Sequence, residues 1–285
     1  MKVITAVVNN PIFIYIQYHT LKKYMKNDYE FIVFNDAKDF PDNTNYGNSN
    51  MKNNIEKICS QLKIKCINIP NEHHKVNNSP VSRCAESMNF ILKYQINNPD
   101  KYLVIDSDMF LIDFFDINQF SNSSCAIVLQ SRNNNEIKYI WNGLYYFDFY
   151  KINNINLLNW NDCEYCDVGG SMQEWFEKQS NNNFTPTVEE LRYSDKNFNN
   201  ENIYYIRHLW STTWNENELP IKFKNKNKLI EFLKNDKRNI NNNFFCEIYD
   251  NKFFHYRAGG NWLGEGLNFH IENTKNLHDI LLNLD

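Results

Sequence analysis

The segment KYLVIDSDMFLI, residues 101–112, places two carboxylates, Asp106 and Asp108, between two apolar runs. Alternate residues of a strand point to the same side, so the two acids can converge just past the strand. Neighbouring carboxylates repel each other and lose hydration, and that cost persists only where a positive group compensates it. A hard divalent cation, Mg²⁺ or Mn²⁺, is the expected compensation. The alternative is a pair of solvated acids in a turn.

The preceding hundred residues alternate between apolar strand patterns and helical patterns. The run KVITAVV is rich in β-branched residues and ends at NNP, as a buried parallel strand does. Ser79 and Pro80 predict the start of a helix. This alternation predicts an α/β fold with a Rossmann-type, mostly parallel central sheet flanked by helices. Strands are expected at 2–8, 29–37, 63–70 and 102–105, helices at 12–25 and 79–96, and a loop at 42–54.

The second half of the chain is less regular, as in an α+β arrangement. Strands are expected at 125–131 and 141–149 and a helix at about 170–178, and the run FFHYRAGGNWLGEG reads as a strand entering a glycine-rich loop. In an open parallel sheet, ligands bind beyond the carboxyl ends of the strands. The polar residues that fall there are Asn9, Asn35, Asp36, Asp106 and Asp108.

Composition excludes some classes of function. The 285 residues are 42% hydrophobic and carry a formal net charge of -4, so no basic field favours nucleic acid or an anionic membrane as a partner. Seven scattered cysteines favour reduced thiols and a cytoplasmic location. The N-terminal apolar run is interrupted at residues 9–11, too early for a transmembrane segment. Cys163 and Cys166 form a lone C-x-x-C, read as ordinary thiols rather than a zinc or redox site.

The order of these motifs resembles the GT-A fold of glycosyltransferases that use nucleotide sugars. The likeness rests on TAVVNNP, IVFNDA, SPVSRCAESMNFIL, the D-x-D strand and WNGLYYFD, in that order. It implies transfer of a sugar from a nucleoside diphosphate sugar to a hydroxyl of a glycan acceptor, with Mn²⁺ or Mg²⁺ as cofactor. UDP is the expected nucleotide, and GDP is an alternative. We expect one domain, with residues 1–110 binding the nucleotide and residues 111–285 binding the acceptor and supplying a late metal and phosphate loop.

The resemblance assigns roles to individual residues. Asp106, Asp108 and His255 would hold the metal, and Asp167, before a helix, would be the base that accepts a proton from the acceptor. The donor would be bound by Asn9, Asn35, Asp36, Arg83, Asp106, Asn142, Arg257, Gly260 and Trp262.

Each assignment has a plainer alternative. His255 could be an ordinary hydrogen-bonding histidine, and Arg83 a surface ion-pair residue. Asn142-Gly143 could be a tight turn, and Asp167 a helix cap. Tryptophans 141, 175, 210 and 214 include possible sugar-stacking platforms, although tryptophan in a large domain is commonly core.

Three other functions use related features. A HAD-type phosphohydrolase has D-x-D after a strand, but its motif stands near the N-terminus. A sugar nucleotidyltransferase shares the fold style, but opens with a glycine-rich loop and a lysine that VVNNPIF lacks. A non-catalytic glycan-binding protein would leave the acid pair without a role.

Overall fold

Two β-sheets make up the framework of the molecule. The structure is a computed structural model, and it describes residues 1–285 except 43–44, 77–78, 133–134, 164–165, 181–184, 194–197, 200–201, 210–213, 221–222, 242 and 283–285. The α/β class expected from the sequence is confirmed.

The larger sheet has eight strands in the order β3-β2-β1-β4-β7-β6-β9-β8. Its first four strands are parallel, β7 is antiparallel to both of its neighbours, and β6 and β9 are again parallel. The strands are β1 (Lys2–Val7), β2 (Glu30–Asn35), β3 (Lys65–Asn68), β4 (Lys101–Ile105), β6 (Cys125–Arg132), β7 (Ile137–Asp148), β8 (Phe198–Asn199) and β9 (Ile203–Tyr205).

The smaller sheet is antiparallel, in the order β10-β11-β12-β5. Its strands are β5 (Met109–Leu111), β10 (His208–Leu209), β11 (Glu247–Tyr249) and β12 (Phe253–His255). Because β5 follows β4 after three residues, the D-x-D segment connects the two sheets.

Helices cover both faces of the larger sheet. They are α1 (Pro11–Tyr24), α2 (Met51–Leu62), α3 (Glu72–Val76), α4 (Pro80–Asn97), α5 (Gln173–Ser180), α6 (Val188–Tyr193), α7 (Lys226–Lys234), α8 (Trp262–Glu265) and α9 (Leu267–Leu282). Helix α4 begins as expected: the Ser79 hydroxyl accepts a hydrogen bond from the Ser82 N–H, and Pro80 occupies the first turn.

Successive residues of each central strand enter different cores. In β1, Val3 packs on the face covered by α1 and α2, whereas Ile4 packs on the face covered by α4 and α5. This alternation explains why the central strands read as continuous apolar runs, since both faces are buried. A third core lies between the smaller sheet and helices α1, α7 and α9.

One local expectation and one local alternative were wrong. The predicted loop at 42–54 is too long, because α2 begins at Met51. Asn142 and Gly143 form no tight turn, because both lie inside β7, where the pairing between β6 and β7 changes register. Among the described helices, none combines the length and the apolarity needed to cross a membrane.

Candidate active site

The acid pair occupies the junction between the two sheets. Asp106 directly follows β4, and its N–H donates to the Gly143 carbonyl of β7 at 2.7 Å. Asp108 directly precedes β5, and its carbonyl accepts from the Tyr256 N–H at 2.9 Å. Each acid is therefore fixed by a different sheet.

Strand pairing brings His255 to the acids from 147 residues further along the chain. His255 ends β12, and its register partner in β5 is Met109, which follows Asp108. One ligand atom from each of Asp106, Asp108 and His255 lies within 4.8 Å of the others. Nε2 of His255 is 3.1 Å from Oδ1 of Asp108 and 3.9 Å from Oδ2 of Asp106.

The hydrogen bonding of Asp108 fits a cation ligand. Its Oδ1 is buried and lacks a hydrogen-bond partner among the described residues, although the His255 ring nitrogen lies only 3.1 Å away. The close approach is thus not aligned as a hydrogen bond. Asp108 and His255 side chains are each 5% exposed, whereas Asp106 is 38% exposed. Two hard oxygens and a borderline nitrogen, with one open side, are a donor set that suits Mn²⁺ or Mg²⁺.

The three groups strongly perturb one another. Partial burial and then the Asp108 charge raise the pKa of Asp106. Burial disfavours the Asp108 anion, but the His255 charge and the Gly259 N–H outweigh burial and lower its pKa. Burial likewise disfavours the His255 cation, yet Asp108 and Glu247 raise its pKa to about 10. Without a metal, a proton on His255 compensates the acids. A bound metal would take the place of that proton, because ligation requires neutral imidazole.

Glu247, which sequence reasoning missed, holds the far side of His255. Its Oε2 lies 3.0 Å from Nδ1 of His255, its cross-strand neighbour, and accepts the Tyr249 hydroxyl at 2.9 Å. A carboxylate in this position fixes the tautomer and the ring orientation of a metal-binding histidine. A carboxylate inside the apolar run CEIY, eight residues before the histidine, is a signal that could have indicated this hairpin.

A glycine-containing loop closes against Asp108. The Gly259 N–H donates to Oδ2 of Asp108 at 2.6 Å. A Cβ on Gly259 would lie 2.6 Å from Tyr256 and 2.9 Å from Phe13, so the approach requires glycine. Ala258, just before it, has a φ of 60°, which is rare for a residue with a Cβ. The loop therefore has the tight, strained geometry typical of a ligand-binding segment.

Four of the expected donor-binding residues, Asn9, Arg257, Gly260 and Trp262, lie on or beside this loop. The Asn9 side-chain amide, just past β1, donates to the Gly260 carbonyl at 2.7 Å. Trp262 is 7% exposed, its indole N–H is buried without a partner in the described structure, and its carbonyl accepts from the Tyr46 hydroxyl.

Arg257 extends from the same loop. Its Nη1 lies 3.7 Å from Oε1 of Glu247, and its side chain is 42% exposed. The guanidinium also lies over the Phe245 ring, 4.7 Å from the centroid. The exposed part of this cation can contact an anionic ligand.

Other candidate residues lie along the same edge of the sheet. Asn35 is fully buried, with its side-chain amide donating to the Lys52 carbonyl and its oxygen accepting from the Ala37 N–H. Asp36 is 3% exposed and faces two histidines instead of open space. These two polar groups are already engaged within the protein.

Arg83, Asn142 and Asp167 lie around Cys84 on α4. Arg83 is partly exposed and forms no ion pair with the described residues. The Asn142 amide lies 3.5 Å from the Cys84 sulfur. Asp167 is exposed, its Oδ1 accepts from the next N–H, at Val168, and its charge contributes to the raised pKa of Asp106. Asp167 does not cap α5, which begins at Gln173.

Trp141 lies beside the cluster. Its ring stacks on Tyr249 at 5.2 Å and tilts against His255 at 5.3 Å. A Cβ on Gly143 would come within 2.3 Å of the Trp141 ring, so glycine there makes room for the indole. Trp175 and Trp214 are buried, and Trp210 lies outside the described residues.

The fold and the site together define an α/β protein with a metal-type ligand cluster at the carboxyl edge of its parallel strands. No protein-family model matches the chain, and no curated protein matches it. Among solved structures, galactosyltransferase LgtC in complex with donor and acceptor sugar analogues is 11% identical, with 65% of this chain and 67% of LgtC covered and a TM-score of 0.35.

Two further structures are similarly distant. An active-site mutant of LgtC is 12% identical, covers 53% of this chain and has a TM-score of 0.34, and this chain spans 58% of its length. The bifunctional glycosyltransferase WbbM, in its apo form, is 11% identical, with 55% of this chain and 33% of WbbM covered and a TM-score of 0.33. At TM-scores below 0.5 such likenesses add nothing to what the strand order shows.

Proposed function

We propose that the chain is a metal-dependent glycosyltransferase that moves a sugar from a nucleoside diphosphate sugar, with UDP as the default nucleotide, to a hydroxyl of a glycan acceptor. The observation that carries this proposal is the convergence of Asp106, Asp108 and His255 within 4.8 Å, at the edge of the sheet where ligands of parallel sheets bind. Mn²⁺ or Mg²⁺ is the proposed cofactor.

Different residues would bind the metal and the phosphates of the donor. Asp106 and Asp108 supply oxygen ligands and His255 a nitrogen ligand. When bound, the cation would compensate the negative charge that grows on the departing nucleoside diphosphate. Arg257 adds an exposed guanidinium next to the cluster, and Gly260 allows the backbone to approach the phosphates.

Further donor contacts are proposed at Asn9, Arg83, Asn142 and Trp262. Asn9 holds the Gly260 carbonyl, and Trp262 lies at the end of the same loop. Arg83 has no ion pair within the described structure, so its charge is available to a phosphate or a sugar. Asn35 and Asp36 make contacts within the protein. We propose that they line the buried base of the donor-binding site.

Asp167 is the proposed base. Two observations support this role: its carboxylate is exposed, as a group that accepts a proton from an acceptor hydroxyl must be, and its charge contributes to the raised pKa of Asp106. This role applies if the reaction inverts the anomeric centre. We further propose a single domain with a nucleotide half at 1–110 and an acceptor half at 111–285. A cytoplasmic location is proposed from seven cysteines that are all free.

A donor screen tests the proposal directly. Thermal shifts would be measured with UDP, GDP and CMP sugars, each with and without Mn²⁺, and nucleotide release would be followed with glycan acceptors. A stabilisation that requires both metal and one nucleotide is the expected result. Release of phosphate from simple phosphomonoesters, or metal-independent glycan binding without turnover, would instead favour the phosphohydrolase or the binding protein.

A further inference from the structure

A second group of metal-type side chains lies beyond β2. Asp36 follows that strand, and His73 and His74 are the second and third residues of α3. Nε2 of each histidine is 3.0 Å from Oδ1 of Asp36. All three residues are buried, with 3%, 8% and 8% of their surface exposed. Two imidazoles and a carboxylate thus converge on one point inside the protein.

The spacing of these atoms suits a small tetrahedral ion. Zinc binds histidine nitrogen and carboxylate oxygen at about 2.0 Å, so ligand atoms at a tetrahedral centre are roughly 3.3 Å apart. The two nitrogen-to-oxygen distances of 3.0 Å are close to that edge length. Ser87 on α4 adds an oxygen 3.3 Å from Nε2 of His73, and its hydroxyl donates to Oδ2 of Asp36 at 2.6 Å.

The two rings lie side by side at the same carboxylate oxygen. Their centroids are 4.0 Å apart, and Nε2 of each ring faces Oδ1 of Asp36. A divalent cation at this point would be bound by the lone pairs of two neutral imidazoles and by the carboxylate.

We propose that Asp36, His73 and His74 form a second divalent-cation site, of zinc type, separate from the acid pair. The fourth ligand would be the Ser87 hydroxyl, or the Asp36 carbonyl, which lies 2.9 Å from Nε2 of His74. Nitrogen-rich donor sets favour zinc over magnesium. Because the ligands come from the end of β2 and from α3, with α4 alongside, the ion would stabilise the connection between these elements. The proposal does not depend on the donor or the acceptor.

The experiment uses the full chain with the acid pair disabled. Asp106→Asn and Asp108→Asn would be combined, metals removed with a chelator, and Co²⁺ added as a spectroscopic probe. We expect the visible absorption of four-coordinate cobalt at one ion per chain, displaced by one equivalent of Zn²⁺. The absence of that spectrum, together with no rise in melting temperature on adding Zn²⁺, would overturn the proposal.

A ligand variant and a matched control complete the test. In the same background, His74→Gln should weaken zinc binding by at least about 100-fold, since a glutamine side chain keeps an N–H for Asp36 but loses the imidazole ligand. His278→Gln, at a partly exposed histidine on α9, should bind zinc unchanged.

Melting temperatures of the metal-free proteins control for folding. Zinc should raise the melting temperature of the parent and of His278→Gln by several degrees and leave His74→Gln unchanged. Equal zinc affinity in His74→Gln and in the parent would show that Asp36, His73 and His74 do not bind zinc and form only a hydrogen-bonded cluster.

Discussion

Two clusters at the same edge of the larger sheet differ in their access to solvent. The acid-pair cluster (Asp106, Asp108 and His255) follows β4, and the double-histidine cluster (Asp36, His73 and His74) follows β2. Burial raises the pKa of the Cys84 thiol, and the charges of Asp106 and Asp36, one from each cluster, raise it further.

The two clusters differ in side-chain exposure, and this difference determines which kind of metal site each could form. The Asp106 side chain is 38% exposed, so a ligand can reach a metal there, whereas all three members of the double-histidine cluster are buried. A catalytic metal site keeps an open position, and a structural one is closed. One sheet edge can therefore support an open site for turnover and, two strands away, a closed one for stability.

The largest expected effect is the loss of turnover in Asp108→Asn. The amide keeps the shape of the side chain but removes the charge that a divalent cation requires, so metal-dependent turnover should fall at least about 1,000-fold. Initial rates with Mn²⁺ and circular dichroism would be measured together. Asp113→Asn, which removes only a part-exposed pair with Lys252, is the matched control. Full activity in Asp108→Asn would remove the acid-pair cluster from the chemistry.

Next in size is the loss of transfer in Asp167→Asn. If Asp167 accepts the acceptor proton, the rate of transfer should fall by about 100- to 10,000-fold, while donor affinity stays unchanged because Asp167 is no metal ligand. Single-turnover rates and donor titrations would separate these quantities. Unchanged transfer would leave the base unassigned.

A smaller effect is expected from Glu247→Gln. The glutamine can still contact His255, but it no longer fixes the tautomer that leaves Nε2 free for the metal, so Mn²⁺ affinity should fall about 10- to 100-fold. Calorimetric titration with Mn²⁺ measures this change, and zinc binding at the double-histidine cluster should stay the same. An equal loss at both clusters would indicate general unfolding and contradict the positioning role.

The smallest effect distinguishes two adjacent glycines. A Cβ on Gly259 would crowd Tyr256 and Phe13, so Gly259→Ala should lower the free energy of unfolding by about 1–3 kcal/mol. At Gly260 the nearest atom would be Oδ1 of Asn9 at 3.7 Å, an ordinary contact, so Gly260→Ala should leave that free energy nearly unchanged. Urea denaturation of both variants would be compared. Equal free energies of unfolding would contradict the prediction, because they would show that the loop can shift to accommodate a Cβ at position 259.

The sequence was most informative where contacts are close along the chain. The parallel strands β1 to β4, the start of α4 and the convergence of Asp106 with Asp108 depend on local patterns and on one connection at a time. His255 could be suggested only through the family resemblance, because its approach depends on the pairing of β12 with β5. A strand of three residues carries almost no periodic signal.

Other features have at most a weak signal in the chain. Strand β7 lies antiparallel between β4 and β6, and the periodic pattern of a strand predicts the strand but not its neighbours in the sheet. His73 and His74 look like part of a polar segment until β2, α3 and α4 come together. Glu247 gains its role only from the same hairpin that presents His255.

The three residues Asp106, Ser107 and Asp108 form the whole connection between β4 and β5. A cation held by both acids would thus cross-link two sheets that are otherwise joined there by a short peptide. Amide hydrogens of β11 and β12 should then exchange with solvent more slowly when manganese is present. Occupancy of the site would control how readily the smaller sheet opens, linking ligand binding to local unfolding.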